Sequence, residues 1–78
     1  MPLYKIIRKT FKLQEDYALT ENMGVGQDVP GWDSLGGINL INAIQSELKV
    51  NFTLEEMASL NTIGNIRKVL IEKGVLNE

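Results

Sequence analysis

The chain contains no cysteine and no histidine. Without thiol or imidazole it can form neither a disulfide staple nor a metal site built on those ligands, and Ser-His-Asp and Cys-His nucleophilic arrangements are excluded. We therefore expect no enzyme. It also lacks an apolar run long enough to cross a membrane and, at its N-terminal end, the central apolar region of a secretory signal. The expectation is a cytoplasmic protein without stable membrane insertion. Neither sign of charge is in large excess, the net value being −2, but charge is unevenly placed. Lys5, Arg8, Lys9 and Lys12 precede a stretch holding Glu15, Asp16, Glu21, Asp28 and Asp33 and no base.

What is present is enough for one small domain spanning residues 1–78. A chain of this size buries only about 60% of the surface its unfolded form exposes, so its stability must come from well-spaced apolar helix faces. Leu3, Ile6, Ile7, Thr10 and Phe11 share one helical face, with Lys5, Arg8, Lys9 and Lys12 opposite, and Pro2 suits a first helical position. This predicts a helix over 3–13. Residues 14–32 show no sustained period and include Gly24, Gly26 and Val29-Pro30-Gly31-Trp32, which fits a type II turn. A connection this long is unusual in a compact domain and is often functional. Its apolar residues Leu19, Met23, Val25 and Val29 indicate that it covers the bundle.

A second helix is predicted over 34–48, with Asp33 as N-cap and Ser34 as first helical residue. Ile38, Leu40, Ile41, Ile44 and Leu48 are expected to form its buried face, while Leu35, Asn39, Asn42 and Ser46 form an outward stripe. Thr53 and Glu56 form a capping box, with Phe52 and Met57 as its hydrophobic staple, for a short third helix. The fourth runs from about Ile63 to Lys73 with Thr62 as cap, its face formed by Ile63, Ile66, Val69 and Leu70, and Gly74 as stop. The fold class is all-α: a small four-helix bundle of three longer helices and a short third one, with a long first loop.

The run Trp32-Asp33-Ser34-Leu35 sets a hydroxyl at the mouth of the second helix, where a phosphate would meet free backbone N–H groups and the positive helix end. Taken locally, a Ser beside an Asp before an apolar helix reads as a cap. Taken with the long loop before it, the helix of about four turns, the short capped helix and the final helix, residues 29–72 resemble the acyl carrier protein family. In that family the serine of an Asp-Ser-Leu motif bears a 4′-phosphopantetheine arm. The resemblance implies that Ser34 is modified from coenzyme A by a phosphopantetheinyl transferase, with Asp33 and Leu35 flanking the attachment. It further implies that a ligase or synthase loads a thioester onto the arm and that downstream acyl-using enzymes take it up.

The chain departs from the fatty-acid synthesis type. Those carriers have an acidic residue directly after Asp-Ser-Leu and an acidic second helix, whereas the matching positions here are Gly36, Asn39, Gln45 and Ser46, and Leu54 opens the third helix where an acid is common. The Trp-Asp-Ser-Leu-Gly pattern is similar to stand-alone carriers of specialised acyl, aminoacyl, polyketide or surface-lipid pathways. Partner docking is accordingly expected on Leu35, Gly36, Asn39, Asn42, Ser46, Leu54 and Met57, with weak salt dependence. For a fatty cargo the resemblance implies a pocket near Leu40, Ile44, Leu60 and Ile63.

Several residues carry two readings. Gly36 and Gly37 either sit at a frayed helix end, where their cost of about 0.8–1 kcal/mol each shrinks, or leave room for partners to approach Ser34. Trp32, the only tryptophan, reads as a lid over the core that also stands near the arm. The basic stripe of the first helix reads as a solvated face, or as one that meets an anionic membrane surface or an acidic partner. Nucleic-acid binding is not expected, because the stripe lacks interleaved exposed aromatics and the domain is acidic overall. Two alternatives stand beside a monomeric carrier protein: an unmodified helical protein–protein adaptor, and a peptidyl or aryl carrier module of a nonribosomal or polyketide system. The initiating Met1 counts against the module.

Overall fold

A computed structural model describes residues 2–26 and 28–76, so Met1 lies outside the described residues. Among them are four α-helices, α1 (Pro2–Thr10), α2 (Ser34–Leu48), α3 (Leu54–Ser59) and α4 (Ile63–Glu72), in a body of 27 × 24 × 21 Å. No strand forms among the described residues; an isolated antiparallel bridge joins Gly24 to Thr62. The expected all-α bundle is the observed one.

The core is aliphatic. Leu3 and Ile7 of α1, Leu40 and Ile44 of α2, and Ile63, Ile66 and Leu70 of α4 are its most deeply buried side chains, and α1 packs on α2 as α3 does on α4. Helix α3 contributes no buried residue and is held at its edges. Thr53 and Glu56 make the reciprocal capping box, Glu56 pairs with Lys73 at 2.9 Å, and the Lys73 ammonium lies 5.8 Å from the centre of the Phe52 ring.

Three expectations, two about the helices and one about the connection, need correction. Helix α1 stops at Thr10 instead of continuing to Leu13. Lys12 takes a left-handed conformation (φ 57°), and the N–H groups of Leu13 and Lys12 donate to the carbonyls of Arg8 and Lys9. This is a Schellman closure made without glycine. Ile38 is not on the buried face: it is 55% exposed. At 100° per residue it lies about 160° around the helix from Leu40, and the buried line is Gly36, Leu40 and Ile44, with Ile41 and Leu48 partly covered beside it. Val25, expected in the cover, is exposed, whereas Leu19 and Met23 are half-buried and Val29 is buried.

The long connection is tied down at both ends of its path. The Arg8 guanidinium donates from Nε and Nη2 to the Tyr17 carbonyl at 3.1 and 2.9 Å, and the Tyr17 hydroxyl donates to the Asp28 carbonyl at 2.6 Å. Further on, Glu21 and Met23 place their carbonyls on the first free amides of α4, accepting from Gly64 and Ile63, while the Val25 N–H donates to Asn61. An Arg67–Glu21 pair at 2.8 Å closes the same seam. The N-terminal amides of α4, which no carbonyl of that helix can reach, are thereby satisfied by the loop.

Candidate functional site at the start of helix α2

The chain enters α2 through a tight turn. The Trp32 N–H donates to the Val29 carbonyl at 3.1 Å and Gly31 has φ 89°, as a type II turn with Pro30 and Gly31 at its centre requires. Asp33 then does the capping. Its carboxylate accepts the Gly36 N–H at 2.8 Å and its own carbonyl accepts the Gly37 N–H at 2.7 Å.

Because Asp33 caps the helix, Ser34 is free of that task. It is the first helical residue, it is exposed, and its hydroxyl makes no hydrogen bond within the described residues. Leu35 beside it is 69% exposed. Asn39, Asn42 and Ser46 are exposed on the same helix, as expected, and Ile38 is an exposed apolar residue there, contrary to expectation. On α3, Leu54 is 85% exposed and Met57 is half-buried.

Gly36 differs from that expected surface: it is buried. A Cβ on it would stand 2.0 Å from the Gly31 carbonyl oxygen and 3.1 Å from Cε1 of Phe11. Its lack of a side chain serves the seating of α2 on the Pro30-Gly31 turn, not an approach from outside. Gly37 is half-buried, and a Cβ there would lie 3.4 Å from Nε1 of Trp32.

Trp32 is only 2% exposed and stacks on Phe11 with ring centres 5.7 Å apart, so it is a member of the core more than a lid on it. Its indole N–H has no hydrogen-bond partner, an unusual state for a buried donor that costs about 1–3 kcal/mol. No signal in the sequence pointed to this unpaired donor, since it depends on how the loop folds under α2.

Leu40, Ile44, Leu60 and Ile63, the expected lining of an acyl pocket, are all buried in the single core cluster. On the far polar side of α1 a shallow cleft of about 650 Å³ is lined by Lys5, Arg8, Lys9, Leu13 and Glu15. Its cations are partly spent internally: Arg8 on Tyr17, and Lys9 on Glu47 at 3.3 Å. Among the described residues no group of acidic side chains is arranged to hold a metal ion, and no helix is long and apolar enough to cross a membrane. Compared with family models, curated proteins and solved structures, the chain matches none.

Proposed function

We propose that the chain is an acyl carrier protein whose Ser34 bears 4′-phosphopantetheine and shuttles an acyl or aminoacyl group between the enzymes of a specialised pathway. The observation that carries this reading is the division of labour at the helix mouth. Asp33 satisfies the Gly36 amide, and the Ser34 hydroxyl, which a capping serine would have committed, is left exposed and unpaired.

Attachment asks little of the protein beyond this. Ser34 Oγ attacks the phosphorus of coenzyme A that bears the pantetheine. An Oγ–P bond forms, the P–O bond of the pyrophosphate breaks, adenosine 3′,5′-bisphosphate leaves, and the serine proton passes to a base of the phosphopantetheinyl transferase. The phosphodiester then sits at the start of α2, where the helix end stabilises an anion by about 0.3–1 kcal/mol at an exposed site. When bound, the group supplies a terminal thiol that holds the cargo as a thioester. Leu35, Ile38 and Leu54 supply apolar contact for partner enzymes, and Asn39, Asn42 and Ser46 supply hydrogen bonds in place of charges. Docking therefore varies little with ionic strength.

The exposed apolar residues also favour a second reading, an unmodified helical adaptor. Mass measurement separates the two. Incubated with coenzyme A, magnesium and a broad-specificity transferase, the protein gains one phosphopantetheinyl unit mapped to Ser34, and Ser34→Ala gains none while keeping its helical circular dichroism. An unmodified wild type, or an arm retained by the variant, refutes the carrier reading.

A further inference from the structure

We infer that Trp32 is a hydrogen-bond donor to the group esterified on Ser34, reached across Gly37. This rests on the carrier reading of Ser34. Two independent observations meet at the first turn of α2. One is the free hydroxyl at its start. The other is a donor that the fold leaves unpaired: Trp32 Nε1, buried, with no acceptor, lying against the turn at Gly37.

Gly37 is what connects them. Ser34 and Gly37 are three residues apart in the helix, so they are neighbours on one face, with about 5–6 Å between their side-chain positions. Any side chain at 37 would begin 3.4 Å from the indole nitrogen. With glycine there, no side chain at 37 covers the nitrogen, and the two consecutive glycines, Gly36 and Gly37, weaken the helical order of this turn relative to alanine. Gly36 is fixed by its close packing on Gly31, whereas Gly37 is half-exposed and is held by the 2.7 Å bond of its N–H to the Asp33 carbonyl. A small displacement there presents the indole N–H to an oxygen attached through Ser34.

The ligand chemistry is an acceptor oxygen, from either the phosphodiester or the amide carbonyls and hydroxyl of the arm. Pairing it with Trp32 turns an unfavourable buried donor into a satisfied one. The substituent thereby gains a fixed direction across the face of α2 that carries Ser34 and Ile41, and the core residue Trp32 becomes sensitive to the state of Ser34.

The single tryptophan makes the test direct, because the indole N–H gives one resonance in a ¹H–¹⁵N spectrum. The ¹⁵N-labelled protein is compared unmodified, converted by the transferase to the phosphopantetheinyl form, and carrying phosphoserine at position 34, with intact mass confirming each state. We expect the indole proton to move downfield on conversion and its solvent exchange to slow about 2- to 12-fold, the factor of a net hydrogen bond of about 0.5–1.5 kcal/mol. A shift with phosphoserine alone assigns the acceptor to the phosphate; a shift only with the whole arm assigns it to a carbonyl or hydroxyl. In Gly37→Ala, which modification should still reach, the shift is lost because the methyl covers the N–H. Modification confirmed by mass without any indole shift, or a full shift in Gly37→Ala, overturns the inference while leaving the carrier reading intact. Absence of modification in wild type overturns the carrier reading itself, and this inference with it.

Discussion

Replacing each of the paired glycines of α2 by alanine should move stability in opposite directions. Both substitutions gain helix propensity of at most about 1 kcal/mol. At Gly37 the new methyl meets Trp32 at 3.4 Å from Nε1 and 3.8 Å from Cδ1, ordinary contact distances, so the gain is kept. At Gly36 it lands 2.0 Å from the Gly31 carbonyl oxygen and 3.1 Å from the Phe11 ring. The obstacle is backbone, so the Pro30-Gly31 turn must shift, and with it Trp32. Overpacking of this kind costs about 1–3 kcal/mol, which leaves Gly36→Ala less stable than wild type by up to about 2 kcal/mol. Because the propensity gain is common to both, the two variants differ by the overpacking cost, about 1–3 kcal/mol. With a urea dependence of about 1 kcal/mol per molar for a domain this small, their unfolding midpoints separate by about 1–3 M. Urea titration followed by far-ultraviolet circular dichroism reads this directly, Gly37→Ala falling above wild type and Gly36→Ala below it. If the two midpoints coincide, or both variants shift the same way, the turn does not seat on Gly36 as described.

The cap assignment gives a second test. Asp33→Ala removes the acceptor of the Gly36 N–H and should cost about 1 kcal/mol, lowering the melting temperature by about 4–8 °C. Ser34→Ala, by contrast, should stay within about 0.5 kcal/mol of wild type. The reverse order would make Ser34 the cap. A third prediction concerns acid. The Thr53 N–H hydrogen bond and then the Lys73 ammonium favour the Glu56 carboxylate and hold its pKa below 4.5. A lowered folded-state pKa contributes stability above the unfolded-state value, and that contribution is lost as pH falls through the folded one. The difference in midpoint between wild type and Glu56→Gln should therefore be present at neutral pH and shrink progressively below pH 4.5. A difference that stays constant through the acid range would show that the Glu56 charge does not stabilise the docking of α3.

Much of this architecture was legible because it is local. The caps at Asp33, Thr53 and Thr62, the capping box, the Pro30-Gly31 turn and the Gly74 stop each depend on side-chain chemistry within a few residues of where they act. The buried residues of α1 and α4 followed from periodicity alone. The errors arose where locality fails. The end of α1 at a left-handed Lys12 has no glycine to announce it, whereas α2 ends at Leu48, as expected, before an equally left-handed Lys49. Ile38 is exposed for a different reason: its helical angle sets it about 160° from Leu40, and hydrophobic character alone does not bring a residue to the buried face.

The sequence by itself determined that this is a helical domain in which Asp33 and Ser34 stand together at the head of its longest helix, because capping and periodicity are short-range effects. Tertiary structure alone decided what the residues around that serine are for. Gly36 and Gly37 are identical letters, yet one is pressed against the Gly31 carbonyl and the other lies beside an unpaired indole. Trp32 is a core residue with an unsatisfied donor only because the preceding loop folds back beneath α2. Those distinctions come from segments meeting in space, and no spacing along the chain encodes which face of a glycine another backbone will occupy.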